Sequence, residues 1–175
     1  MKVTEGKKIY FASDNHLGIP DSRSSLIREK KFVQWLDAIK VDAHSIYLLG
    51  DLFDFWFEYK TVVPKGFTRV LGKIAEITDS GIPIYFFTGN HDMWVRDYFQ
   101  LELGVKVITE PQQFKINEKS FFIGHGDGLG PGDTSYKLMK KFITGNRFFK
   151  WCFRWVHPDI GVKLGQFLSK EKKLM

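Results

Sequence analysis

The stretch SIYLLGDLFD, residues 45–54, decides the fold. Ile46, Tyr47, Leu48 and Leu49 form an apolar run too short for a helix and rich in strand-forming residues. Gly50 ends the run, and Asp51 follows at once. The pattern reads as a buried strand that delivers a carboxylate at its carboxyl end. Working outward, KIYFAS (8–13) is a strand of the same kind ending at Asp14, and IPIYFFTG (82–89) is another ending at Asn90. Between the first two strands, Phe32, Trp35, Leu36 and Ile39 recur at i, i+3, i+4, i+7, which predicts a helix over 23–40. Between the second and third, Val70, Leu71, Ile74 and Ile77 mark another helix, stopped by Ser80-Gly81 ahead of Pro83. Strands separated by crossover helices predict a parallel sheet and an α/β core.

Downstream the pattern changes. After a short helical stretch near 93–101, the segments VKVIT (105–109), QFKIN (113–117) and SFFIGH (120–125) read as short strands. Asn117-Glu118-Lys119 is the turn expected between the last two. From residue 135 onward the reading is helical, with breaks at Gly145-Asn146 and His157-Pro158. Residues 1–133 are expected to form the core. Residues 134–175 are expected to form a basic, aromatic, lid-like helical insertion within the same domain.

Composition narrows the function classes. A chain of 175 residues with 43% hydrophobic residues is long enough for one domain with a substantial core. Cys152 is the sole cysteine, so no internal disulfide forms and a reducing compartment is expected. No apolar run approaches the roughly 20 residues a membrane span needs, and MKVTEGKKIYFAS has no signal-like apolar stretch. The expectation is a cytoplasmic protein. The net charge of +6 hides an asymmetry, because residues 134–175 carry ten basic and two acidic side chains. The same segment holds Phe142, Phe148, Phe149, Trp151, Phe153 and Trp155. Cations interleaved with large aromatics suit an anionic partner with apolar parts, and suggest peripheral contact with a membrane surface.

Four polar clusters sit where apolar strands end: Asp14-Asn15-His16, Gly50-Asp51-Leu52-Phe53-Asp54, Gly89-Asn90-His91-Asp92 and Gly124-His125-Gly126-Asp127. In open α/β sheets, binding groups converge at the carboxyl ends of the strands. Asp, His and Asn together make a mixed oxygen and nitrogen donor set, suited to Mn, Fe or Zn. In extended chain Asp14 and His16 would point the same way, so one cation could take both. A carboxylate such as Asp51 can bridge two cations about 3.5–4 Å apart.

The combination resembles the calcineurin-like metallophosphoesterase superfamily, whose pattern is Asp-X-His, Gly-Asp-X-X-Asp, Gly-Asn-His-Asp/Glu, a lone His, and a final Gly-His-X-His. Asp14/His16, Gly50/Asp51/Asp54, Gly89/Asn90/His91/Asp92 and His125 match the first four. The resemblance implies a layered αββα sandwich of mixed sheets, with a helical insertion after the fourth motif. It implies two divalent metals, Mn foremost with Fe or Zn as alternatives. One metal would take Asp14, His16 and Asp51, the other Asp51, Asn90 and His125. Asp51, Asn90 and His91 would form the catalytic group, with Asp54 and Asp92 orienting histidines or loops from behind. No Gly-His-X-His follows residue 125, and His157 is the only later histidine. In the family that pair gives one histidine to each metal. The chain is therefore expected to be a piece of a longer protein without its C-terminal strands, binding metal poorly and hydrolysing slowly alone.

Within the superfamily the chain looks most like the UDP-2,3-diacylglucosamine hydrolases of lipid A synthesis. The resemblance rests on the aromatic run GDLFDFWFE (50–58), on His125-Gly126-Asp127 with Asp133 after it, and on the basic aromatic insertion. It implies cleavage of a lipid-linked sugar nucleotide, UDP-2,3-diacylglucosamine, to UMP and 2,3-diacylglucosamine 1-phosphate. Asn90, His91, Asp133, Ser169 and Lys170 resemble substrate-contacting positions. Lys140, Lys141, Arg147, Lys150 and Arg154 could face a diphosphate while the aromatics hold acyl chains; equally, these aromatics could pack an ordinary helical subdomain. Phe53, Phe55 and Phe57 read as core beneath the metal loop rather than as substrate contacts. Two other functions stay open: a nucleotide or nucleic-acid phosphodiesterase or phosphatase, and a non-catalytic scaffold. Nucleic acid is the less expected partner.

Overall fold

The computed structural model describes residues 1–127 and 146–172, without the side chains of Arg147, Phe149, Lys150 and 166–172. In chain order the described elements are β1 (Lys8–Ala12), α1 (Ser22–Ile39), β2 (Ala43–Leu49), α2 (Thr68–Asp79), β3 (Ile84–Phe87) and α3 (Tyr98–Leu101). They continue with β4 (Lys106–Ile108), β5 (Gln112–Ile116), β6 (Lys119–Ile123), α4 (Arg147–Phe153) and α5 (Pro158–Lys172).

Strands β1 to β4 form one wholly parallel sheet in the order β1-β2-β3-β4. Side chains alternate across it with period two. On one face Ile46, Leu48, Ile84 and Phe86 join Phe32, Leu36 and Ile39 of α1 and Val70, Leu71, Ile74 and Ile77 of α2 in a single core. On the other face Tyr47 and Phe87 pack against Ile116 and Ile123 of the antiparallel β5–β6 hairpin. The described residues thus form a helix–sheet–sheet stack, three layers of the expected sandwich. β4 is the segment the sequence placed with the late short strands; it pairs with β3 and completes the first sheet.

Helix ends are secured by acidic side chains. Asp21 caps α1, its carboxylate accepting from the N–H groups of Arg23 and Ser24 at 2.8 and 2.9 Å. Helix α2 has no side-chain cap of its own. Glu29, 1% exposed on the buried face of α1, fills that role by accepting from Arg69 and Val70 N–H at 2.9 and 3.1 Å. A buried carboxylate at a helix start satisfies orphan donors and faces the positive end of the dipole, which contributes about 1–2 kcal/mol.

The helix expected near 93–101 is only Tyr98–Leu101. Trp94 is drawn into a parallel bridge with Phe57, and buried Glu58 accepts from Asp97 and Tyr98 N–H. Those contacts fix where the helix can begin. The turn of the β5–β6 hairpin is Asn117-Glu118, both with left-handed backbone (φ 46° and 66°), as a tight two-residue turn requires. The break expected at His157-Pro158 separates α4 from α5, with Pro158 at the first helical position, where its missing N–H costs nothing. The helical reading of 135–145 lies outside the described residues. Helix α5 approaches the core closely: a Cβ on Gly161 or Gly165 would overlap Tyr59 and Phe55 respectively. Among the described residues no helix is long and apolar enough to cross a membrane.

Candidate metal centre

Because β1, β2 and β3 are parallel, their carboxyl ends share one edge of the sheet, and β6 brings Gly124-His125 there as well. The loops after β1 and β2 are stitched together by backbone hydrogen bonds. Asp14 N–H donates to Gly50 O at 3.2 Å, His16 N–H to Asp51 O at 2.9 Å, and Leu17 N–H to Leu52 O at 2.9 Å. Asp14, His16 and Asp51 all adopt left-handed backbone, with φ of 56°, 44° and 53°. Such conformations are uncommon for residues with a Cβ and cluster at functional sites. The Asp14/His16 geometry therefore differs from the extended arrangement the sequence suggested. Two left-handed residues, not period-two alternation, bring Asp14 Oδ1 to 3.8 Å from His16 Nε2.

Asp51 is the hub. Its carboxylate is buried, and Oδ2 lies 3.7 Å from His16 Nε2, 3.9 Å from His91 Nε2 and 3.4 Å from His125 Nε2. Donor atoms sharing a cation at bonds of about 2.0–2.2 Å sit about 3–3.5 Å from one another, close to this spacing. The opposite edge of each imidazole is tied down. His125 Nδ1 donates to Leu49 O at 2.6 Å, and His91 Nδ1 donates to Asp54 O at 2.8 Å. His16 Nδ1 faces Asp54 Oδ1 at 3.4 Å. A carbonyl can only accept, so Nδ1 of His91 and of His125 carries a proton and Nε2 is the atom turned to the Asp51 side, the one that would bind a cation once it gives up its own proton. Among the described residues two groups are compact enough to hold a cation: Asp14, His16 and Asp51, and His16, Asp54 and His91. Asn90, partly buried, lies between Gly89 and His91 in the same turn.

Asp92 is fully buried and joins two of the loops, accepting from Gly89 N–H at 2.7 Å and Leu52 N–H at 2.8 Å. Burial pushes its carboxyl up to about 7, against the pull of those N–H donors. Asp51 runs the other way. Burial alone would raise it, but the hydrogen bond from His125, the His91 N–H and the charges of both rings hold it below the ordinary value. The hydrogen bond to Asp51 raises His125 to about 9 against the opposing effect of burial. Asp92→Ala would leave two buried N–H groups without acceptors, a loss of about 2–4 kcal/mol in chemical denaturation. Metal affinity should fall about 10–100-fold by titration. An unchanged unfolding midpoint would contradict the joining role.

The aromatic run behaves as core. Phe53, Trp56 and Phe57 are essentially inaccessible, whereas Phe55 is partly exposed and faces Trp94 and Phe153. Cys152, beside Phe153 at the end of α4, is half-buried. Asp133, Lys140, Lys141 and Phe142 lie outside the described residues. Ser169 and Lys170 fall in α5 with side chains outside them. Sequence reasoning missed the capping carboxylates Glu29 and Glu58, whose partners are some 40 residues away. It also missed Arg28, one of four basic residues in a mixed helix. Only a buried charge at an otherwise apolar-facing helical position could have flagged Glu29.

The calcineurin-like phosphoesterase family model matches residues 7–158, and the chain belongs to that family. It is 48% identical over 167 residues to a UDP-2,3-diacylglucosamine hydrolase of Porphyromonas gingivalis, covering 95% of this chain. It is 29% identical over 170 residues to the protein of that name from Histophilus somni, again over 95% of the chain. The Actinobacillus succinogenes protein of that name is 30% identical over 91% of the chain. The chain spans 63%, 69% and 65% of the length of these three relatives. The family implies divalent metal ions, and the converging Nε2 atoms, buried Asp51 and fixed Nδ1 atoms fit them.

Proposed function

We propose that the chain carries the metal-binding core of a hydrolase that cleaves UDP-2,3-diacylglucosamine to UMP and 2,3-diacylglucosamine 1-phosphate. The observation that carries this reading is the convergence of three imidazole Nε2 atoms on one buried carboxylate. The choice of substrate is supported by the relatives, which are UDP-2,3-diacylglucosamine hydrolases. Asp14, His16 and Asp51 would hold one cation and Asp51, Asn90 and His125 the other, with Mn preferred and Fe or Zn acceptable. When bound, such a pair supplies Lewis acidity toward the phosphoryl oxygens and a water of lowered pKa. Asp51 sets the spacing of the two ligand groups. Asp54 aligns His16 and His91, and Asp92 keeps the second and third loops in register. His91, its ring oriented by the Nδ1 bond to Asp54 O, would stand at the phosphoryl group and stabilise developing charge there.

The division into a core and a lid of residues 134–175 is part of the same reading. Phe153 rests on Phe55, Phe57 and Trp94 with ring centroids 6.5, 4.6 and 5.1 Å apart. Phe148, Trp151 and Trp155 are exposed along one stripe. That stripe and the basic surplus of the segment support peripheral contact with the anionic cytoplasmic membrane face. Asp133, Ser169 and Lys170 are assigned to the substrate on family resemblance. The test is direct: with Mn the protein should release UMP from UDP-2,3-diacylglucosamine, lose that activity with EDTA and regain it on adding Mn. Cleavage of simple phosphodiesters without UMP release from the lipid would overturn the substrate assignment.

A further inference from the structure

Beside the metal centre lies a second feature that the metal chemistry does not use. Asp14, Asn15, Arg28, Lys31 and Phe32 line an open cleft of about 380 Å³ between the loop after β1 and helix α1. Asp14 belongs to both places, so a ligand in this cleft touches the edge of the metal site. Arg28 is partly buried, and its Nε and Nη2 are shielded from solvent with no hydrogen-bond partner. Asp21 is close enough to feel its charge, yet spends its oxygens on the first amides of α1 and on Ser24. Among the described residues neither Arg28 nor Lys31 forms an ion pair. Shielded guanidinium donors without an acceptor are costly, and a planar fork of N–H groups matches a phosphate or carboxylate. Lys31, one turn further along the same helix face, adds a point charge, and Asn15 offers an amide donor. With cations bound, the negative charge of Asp14 is engaged by metal and does not repel an anion beside it.

We propose that Arg28 and Lys31 form a phosphate-binding wall that grips the nucleoside monophosphate half of the substrate. This rests on the two-metal reading above. The cleft shares no lining residue with the aromatic group of Phe55, Phe57, Tyr59, Trp94 and Phe153. The polar and the lipid ends of a lipid-linked nucleotide would therefore have separate places to go. After cleavage the phosphate left on the nucleoside carries an additional charge, so the wall holds product as well as substrate.

The test is calorimetric titration of the metal-loaded protein with UMP, inorganic phosphate and uridine, alongside metal content. Arg28→Gln should weaken UMP by about tenfold or more, since a charge-assisted contact to phosphate is lost. Arg28→Lys should fall between Arg28→Gln and the unaltered protein. Lys31→Gln should weaken UMP about threefold and keeps the proposal testable if Arg28→Gln fails to fold. Inorganic phosphate should weaken in parallel, from a lower starting affinity than UMP, which separates a nucleotide site from a free-phosphate site. Uridine should bind no better to the unaltered protein than to the variants. Equal UMP affinity in all variants, with metal content intact, overturns the proposal. If the unaltered protein holds no metal but Arg28→Gln still weakens UMP, the two-metal reading fails while the phosphate wall stands. Phosphate bound more tightly than UMP overturns the nucleotide assignment.

Discussion

Asp51→Asn is expected to lower hydrolysis by about 1000-fold or more, roughly 4 kcal/mol of transition-state stabilisation. It should also strip metal from both sites at once. The reason is geometric. Three imidazoles converge on Oδ2 of this one residue, while Oδ1 accepts from His91 N–H at 3.0 Å and fixes the third loop. An amide keeps the size but loses the charge, and its NH₂ would point a donor at a cation or at a neighbouring N–H. His125→Ala should be milder for the first cation, since the proposed ligand set gives His125 only to the second. Metal analysis of the two variants side by side separates a shared carboxylate from an ordinary ligand.

Gly89→Ala is the second large effect, and it arises from backbone packing rather than charge. A Cβ at Gly89 would overlap Asp51 Oδ1 and sit 2.6 Å from the Asp51 backbone N. Neither atom can yield, because Asp51 is held in a left-handed turn and Gly50 beside it already has φ 84°. The ends of β2 and β3 would have to separate, at a cost of about 2–3 kcal/mol or more. For a chain of this size that lowers the melting temperature by roughly 5–10 °C. Metal binding should fall with it. Gly72 is the contrast: it lies in α2 with nothing near its missing Cβ, so Gly72→Ala should stabilise by up to about 1 kcal/mol. Thermal melts of the two variants should move in opposite directions. A Gly89→Ala melt equal to that of the unaltered protein would show that the strand ends are looser than described.

The fold was legible where local pattern and tertiary structure agree. Strands β1, β2 and β3 announced themselves as apolar runs ending in Asp14, Asp51 and Asn90, and helix α1 falls within a residue of its expected bounds. The β5–β6 hairpin followed from its turn residues. What the sequence hid depends on distant partners. The destination of β4 is decided by pairing with β3, and the late start of α3 by Glu58 and the Phe57–Trp94 bridge. At the site, residue identities were readable because few structural needs put Asp, His and Asn after apolar strands. Their geometry was not. Left-handed backbone at Asp14 and His16 leaves no mark on side-chain pattern, so the extended reading of that motif gave the right neighbours for the wrong reason. The Arg28 cleft was hidden for a related cause: an arginine on a helix is ordinary until the fold shields it without an acceptor.

One carboxylate, Asp51, is proposed to serve two cations. Titration of the metal-free protein with Mn²⁺, followed by calorimetry and by the paramagnetic signal of bound Mn, tests this most directly. The prediction is two ions per chain, magnetically coupled at about 3.5–4 Å, and neither retained by Asp51→Asn. Two uncoupled ions, or an Asp51→Asn variant that binds Mn as the unaltered protein does, would contradict the shared role of Asp51.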